Sequence, residues 1–399
     1  MTLDLARIAG QIAAMVADLH PDDQRERFAA LEHTWETIDG ADIRSRLDGA
    51  KHSFLLPAPQ DSYNERHPLP APREAYCVAA TDGSFILPSR HNPARYYLLN
   101  TGLVRLEYGP EPRALLDSEP ILKFGEDELM IGSPVHRIPV NGTNIGPKRA
   151  AEELRAAANL LADAPEPALA LQDGTLILWA LETLPEPVAA WTLPGFLEAM
   201  AWFRDYQIPL ASYVSAPGTR EIVNLMRIAI CDYPPAGKKI NCDECRGRIL
   251  SEGHSPACDI IPEVTDRFFF ESIEPLEPGE RSAIFQSTSQ ILDRYCADGS
   301  TDFRIDYFYL NVGLEIGRVE IPHWVSKQPE LVDFVHWAVY DQCERGRGYP
   351  VALQEAHELA VLSTADRLVM EIAIERELAR HGIVLTYTGK DGSKRGRFV

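Results

Sequence analysis

Long apolar runs are missing from this sequence. No stretch approaches the roughly 18 to 20 uncharged apolar residues of a membrane-spanning helix, so no membrane role is expected. The N-terminal stretch MTLDLARIAGQIAAMVADLH lacks the basic region and apolar core of an export leader and carries an acid at Asp4. A cytoplasmic location is therefore expected. Cysteine is sparse: seven residues, an odd number, which argues against a disulfide framework in a chain without an export signal. Basic charge is also short, with 39 Lys and Arg against 59 Asp and Glu and a net charge of −20. That excludes a protein that simply coats DNA or an anionic membrane, because such binding scales with the phosphates neutralised. It leaves room for an enzyme whose basic residues are local. Lys238, Lys239, Arg246 and Arg248 form one candidate patch, and the tail residues Lys390, Lys394, Arg395 and Arg397 another. Solvated surface charge explains either equally well. No repeat of 20–50 residues is found.

What remains is an ordinary globular composition, 45% hydrophobic and 25% charged. The 399 residues suffice for one large domain with insertions or for two to three smaller ones. Ile8, Ile12, Met15 and Leu19 follow a helical period, and helices are expected over 2–50. Residues 55–73 are Pro-rich and polar and read as a linker or surface loop. Strands are expected from 75 to about 145, a helix over 147–163, a strand over 168–179 and a helix over 193–206. A strand at IPLASYVSA, a helix at TREIVNLMRIAI and strands over 303–322 follow, then helices over 328–345 and 350–371. The order is that of a mixed α/β chain. The expected division is an N-terminal helical region and linker over 1–72, a mixed α/β domain over 73–385 with a Cys-bearing insertion at 231–262, and a polar tail over 386–399.

Two segments repeat one design. YCVAATDGSFIL at 76–87 and ALALQDGTLILW at 168–179 each run apolar into Asp-Gly-Ser or Asp-Gly-Thr and then resume. A carboxylate at the end of a buried strand is costly to place without a role, and the adjacent Gly allows a turn or a close approach. Asp82 and Asp173 are therefore candidate ligands for a hard cation, which prefers carboxylate oxygens. The helix between them offers Glu152 or Glu153. At about 100° per residue, Glu152 points with Lys148, Arg149 and Arg155, whereas Glu153 lies close to Ala150, Ala157 and Leu160. Glu153 is the better inward acid, and two surface acids are the plain alternative. His357 shares a helix face with Leu353, Val361 and Thr364. It reads either as a core histidine or as a ligand or proton carrier beside the acids. On an unbroken helix Asp366 would lie on the opposite side, away from the site, paired with Arg367 or a neighbouring helix. A D-x-D-G-T phosphatase motif is excluded, because Leu171 stands where the nucleophile would be.

Cys231, Cys242, Cys245 and Cys258 are spaced C-x10-C-x2-C-x12-C, with His254 close to the last. Such a set fits a structural Zn²⁺ site or an iron–sulfur cluster. Reduced thiols in an irregular insertion are the alternative, and Cys77, Cys296 and Cys343 read as ordinary thiols.

Together these residues resemble the NurA nuclease family. The segments that carry the resemblance occur in order: ATDGS at 80–84, LQDGTLI around Asp173, ASYVSAP at 211–217, YLNVGLEIGRVEIPHW at 309–324 and GYPVALQEAHELAVLSTADR at 348–367. The resemblance implies an RNase H-like mixed sheet flanked by helices and a nuclease dependent on Mn²⁺ (or Mg²⁺). It also implies 5′→3′ resection of DNA ends, single-strand cutting, a homodimer, and a HerA-type hexameric ATPase as partner. By position it implies that Asp82, Glu152 or Glu153, Asp173, Tyr349 and His357 form the site. A nuclease of the same fold directed at phage nucleic acid, and a non-cutting adaptor of the ATPase, are the alternatives.

Overall fold

The computed structural model describes residues 5–17, 21–58, 62–87, 94–133, 135–232, 239–253, 255–297 and 299–383. Asp4, Leu19, Lys238, His254 and the basic tail residues named above lie outside them. The chain divides into two compact units. One comprises Met1–Pro68, Ala216–Ser289 and Tyr307–Arg318; the other comprises Leu69–Ser215, Gln290–Asp306 and Val319–Val399.

The second unit is built on a mixed sheet. Its strands are β1 (Tyr76–Ile86), β2 (Tyr97–Tyr108), β3 (Arg113–Lys123), β4 (Ala168–Asp173), β5 (Leu210–Val214) and, from Val319 on, β6 (Ile316–Pro322). Their spatial order is β6–β5–β4–β1–β2–β3. β1, β2 and β3 form an antiparallel meander, while β1, β4 and β5 run parallel. Helices α1 (Ile145–Leu161), α2 (Glu186–Asp205), α3 (Pro329–Arg345) and α4 (Val351–Ala360) flank it, and α5 (Thr364–Arg380) follows. This is the α/β arrangement of an RNase H-like fold. Cys77, Val78, Ala79 and Ala80 of β1 are fully buried, as are Leu169 and Ala170 of β4. Central parallel strands are covered on both faces, which explains their unbroken apolar runs. β3 is the edge and is exposed along most of its length; Pro120, Asp117 and Glu119 on it discourage further pairing.

The period of two along β1 assigns faces. The Thr81 hydroxyl donates to the Glu153 carbonyl of α1 at 2.8 Å, and Gly83 abuts Arg149 and Glu153 of the same helix. Asp82 and Ser84 turn the other way, to His357 and the Ala360 carbonyl of α4. Helices α1 and α4 thus cover opposite faces of one strand.

The first unit contains helices Leu5–Ala17, Pro21–Thr37, Gly40–Leu47, Glu221–Ala229 and Cys242–Glu252. Its core gathers Leu31, Trp35, Ile43, Phe269 and Phe270. A buried polar network runs through it: Arg318 pairs with Glu221 at 2.7 Å, the Tyr307 hydroxyl donates to Glu221 and the Tyr309 hydroxyl to Asp266. Every charge in this network has a partner, as burial requires.

Four local expectations change. Asp82 lies inside β1, which continues to Ile86, whereas Asp173 ends β4. The run after Asp173 is a turn and a short 3₁₀ segment, Trp179–Glu182, because the Glu320 carboxylate accepts from the Leu176 amide and the Thr175 hydroxyl and holds the chain in a bend. The segment 231–262 contains a regular helix, Cys242–Glu252, started by the Asn241 side chain on the Asp243 and Glu244 amides. The expected helix over 350–371 is broken at 361–363, where Ser363 and Asp366 form a capping box. Asp366 is therefore spent on its own helix start.

Candidate active site

Strand β1 carries Asp82, strand β4 carries Asp173, and helix α1 carries Glu153 between them in the chain. β1 and β4 are adjacent and parallel, with Thr81 opposite Gln172. The two aspartates therefore stand next to each other at the same end of the sheet. The two glycines that follow them serve different ends. Gly174 has φ +79°, a turn conformation open to Gly at no steric cost, with open space around it. At Gly83 a Cβ would lie 2.5 Å from Glu153 Oε1 and 2.8 Å from Arg149 Cγ. That missing side chain is what lets α1 bring its acid against β1.

Glu153 is buried at 2% exposure. Its Oε2 accepts from Gln172 Nε2 at 2.9 Å, and its Oε1 has no hydrogen-bond partner. Arg149 Nε lies 3.1 Å from that oxygen but out of line with it, so neither atom completes a bond. Burial pushes the Glu153 carboxyl up to about 7; Arg149 and Gln172 oppose the shift, while Asp82 and Asp173 add to it. The three acids thus share one electrostatic environment. Glu152, by contrast, turns away and pairs with Lys148 at 3.0 Å and with Arg155.

His357 Nδ1 lies 2.8 Å from Asp82 Oδ2, on a side chain that is 64% exposed. It is not a core residue, although Leu353 one turn earlier is buried. The Tyr349 hydroxyl donates to Asp173 Oδ1 at 2.7 Å, and its ring stands edge-on to Tyr213 at 5.7 Å. Burial and the neighbouring Asp173 raise the Tyr349 phenol well above its ordinary range, so it remains a neutral donor. The loop bearing Tyr349 and the start of α4 are held by Gln342, whose Oε1 accepts from the Ala352 amide at 3.1 Å. The end of α4 is held by Ser84 and Asn100, which both donate to the Ala360 carbonyl.

Four further residues shape the site without having been expected there. Arg149 and Gln172 contact Glu153, Thr81 anchors α1, and Glu320 bends the chain after Asp173. Arg149 precedes Glu153 by one helical turn, the spacing of an ion pair, so a signal existed for it. Glu320 alternates with Val319 and Ile321 in the strand-like run RVEIP and gave no signal beyond that pattern.

Among the described residues, no three His, Cys, Asp or Glu side chains gather closely enough to hold a metal ion as they stand. Asp82 is turned to His357, Asp173 to Tyr349 and Glu153 to Gln172. The chemistry of the set nevertheless suits a hard divalent cation: three carboxylates, an imidazole nearby, and one buried carboxylate oxygen without a hydrogen bond. Cys231, Cys242, Cys245 and Cys258 are all reduced and partly buried. Cys242 and Cys245 share the first turn of one helix, and the Ala257 amide, next to Cys258, donates to Asp232, next to Cys231, at 3.2 Å.

A family model for the NurA domain matches residues 77–362. No curated protein matches the chain. Among solved structures, one described as "Crystal structure of Prototype Foamy Virus Protease-Reverse Transcriptase (native)" is similar at 15% identity and a TM-score of 0.21. The similarity covers 39% of this chain and 19% of that chain, so this chain spans about a fifth of its length.

Proposed function

The chain belongs to the NurA family, a nuclease family, and we propose on that premise that it is a divalent-cation-dependent DNA nuclease. The observation that carries the reading is that Asp82 and Asp173 stand side by side on adjacent parallel strands, with the buried Glu153 of α1 against Gly83 and His357 on Asp82. Mn²⁺ or Mg²⁺ would be held by Asp82, Glu153 and Asp173. A cation bound there would offset phosphate charge and polarise the attacking water. His357, oriented through Nδ1 by Asp82, would take or hand over a proton at the scissile phosphate. Tyr349 would keep Asp173 in place as a neutral donor. Glu153 must be ionised to bind a cation, and burial sets that step near neutrality.

The proposed action is 5′→3′ resection of DNA ends, with cutting of single strands, by a homodimer. The net charge of −20 makes unaided DNA binding weak. A HerA-type hexameric ATPase would therefore deliver the DNA. The test is cleavage of end-labelled linear duplex with and without EDTA, Mn²⁺ and the ATPase. Cation-dependent shortening from 5′ ends, stimulated by the ATPase, supports the reading; no cleavage under any condition sinks it.

A structural Zn²⁺ or iron–sulfur cluster at Cys231, Cys242, Cys245 and Cys258 is proposed separately, on their C-x10-C-x2-C-x12-C spacing and on Cys242 and Cys245 sharing one helical turn. Elemental analysis of the purified protein tests it: less than about one zinc ion or one cluster per chain removes it.

A further inference from the structure

Arg149 stands among the acids. Its Nε is 3.1 Å from Glu153 Oε1, its Nη1 is 4.0 Å from Asp82 Oδ1, and Nη1 also donates to the Gly83 carbonyl. The stem of the side chain lies against Gly83, where any Cβ would strike it. The guanidinium thus touches two of the three acids. Its contact with Glu153 is one of charge rather than geometry, because both Nε and Oε1 are buried without completing a hydrogen bond. A misaligned ion pair of this kind lacks the fork geometry that makes Arg–carboxylate pairs strong. The side chain is 36% exposed, so a route to solvent exists.

We propose that Arg149 is a tethered counter-ion of this site, which an incoming divalent cation must displace from Glu153 and Asp82. The inference rests on the reading above that these acids bind a cation. Like charges cannot share the pair of carboxylates at close range. In the cation-free protein Arg149 offsets the repulsion between Asp82 and the buried Glu153. In the loaded protein that duty passes to the metal, and the guanidinium gives way. Arg149 therefore sets how much cation is needed to load the site.

The experiment is Mn²⁺ binding, read from the spectrum of free Mn²⁺ by electron paramagnetic resonance. Wild type, Arg149→Gln, Arg149→Lys and Asp82→Asn are compared at the same pH, 8.5. Arg149→Gln should bind Mn²⁺ roughly tenfold more tightly than wild type, the order expected for removing a nearby like charge from a partly solvated site. It should also melt at a lower temperature in EDTA and recover more on adding Mn²⁺. Arg149→Lys, whose ammonium is shorter in reach, should fall between and serves if the Gln variant does not fold. Unchanged or weaker binding in both Arg149 variants overturns the inference. If Asp82→Asn abolishes binding in that case, the cation site itself stands. No Mn²⁺ binding by wild type or any variant overturns both.

Discussion

His357 and Asp82 are joined by a 2.8 Å contact between Nδ1 and Oδ2, across 275 positions of sequence. A helix on one side of the sheet and the central strand therefore present a single acid–imidazole unit. Removing either member should disable the same step. Asp82→Asn and His357→Ala are each expected to lower cleavage of linear duplex in Mn²⁺ by about a hundredfold or more, the usual scale for a lost proton carrier. Combined, they should cost little more than the worse single change. Fully additive losses would show two separate roles.

The Glu pair on α1 separates by partners. Glu152→Gln removes exposed contacts with Lys148 and Arg155 and should leave cleavage within about twofold of wild type. Glu153→Gln keeps the shape and the bond to Gln172 possible but removes the charge, and should abolish cleavage. Equal activity in the two variants would contradict the assignment.

Glu153 also predicts how stability varies with pH. Its carboxyl rises from 4.5 to about 7 on folding. A raised acid binds its proton more tightly in the folded protein, so its penalty is absent below about pH 4.5 and grows as pH rises toward 7. The metal-free protein should therefore lose up to roughly 2 to 3 kcal/mol across that window from this group. Urea unfolding in EDTA checks it. Glu153→Gln should flatten the dependence and be more stable than wild type at pH 8.

The two glycines should differ in kind. Gly83→Ala places a Cβ 2.5 Å from Glu153 Oε1, which forces α1 away. A loss of about 1 to 3 kcal/mol together with most of the activity is expected. Gly174→Ala has room but must hold φ +79°, at about 1 kcal/mol, and should retain more activity. Thermal melts and a cleavage assay on the two variants separate the effects.

Tyr349→Phe removes one donor to Asp173 and leaves the ring against Tyr213. Stability should fall by about 1 kcal/mol, and cleavage should fall less than for Asp82→Asn. A Tyr349→Phe variant as dead as Asp82→Asn would make the hydroxyl a participant in the reaction itself.

Much of the nuclease unit was legible because its physics is local. Apolar runs marked β1 and β4, the Ala-rich amphipathic pattern marked α1, and the helical wheel set Glu153 apart from Glu152. Contacts between distant segments were not legible. His357 reads on a wheel as a neighbour of Leu353 and Val361, yet the sheet below it offers a carboxylate at that spot. Asp82 reads as a strand end because Asp-Gly-Ser resembles a turn. The strand runs on because Gly83 is there for the approach of a helix, which only the tertiary fold reveals. Arg149 sat on the polar side of the wheel, and its turn toward Glu153 depends on the gap at Gly83. The break at 361–363 falls at Val361, Leu362 and Ser363, where Ser363 and Asp366 were a readable capping pair.

The Ala360 carbonyl accepts from both Ser84 and Asn100, on two neighbouring strands. That one oxygen works as a detent: α4 cannot slide along its own axis without losing both donors. A slip of one helical turn would carry His357 about 5.4 Å from Asp82. Beyond the detent α5 buries none of its residues, but it is tied to β1 through Arg367, which donates to the Phe85 carbonyl at 3.1 Å. Surface substitutions in α5 that spare Arg367 should thus leave the distance between His357 and Asp82 the same.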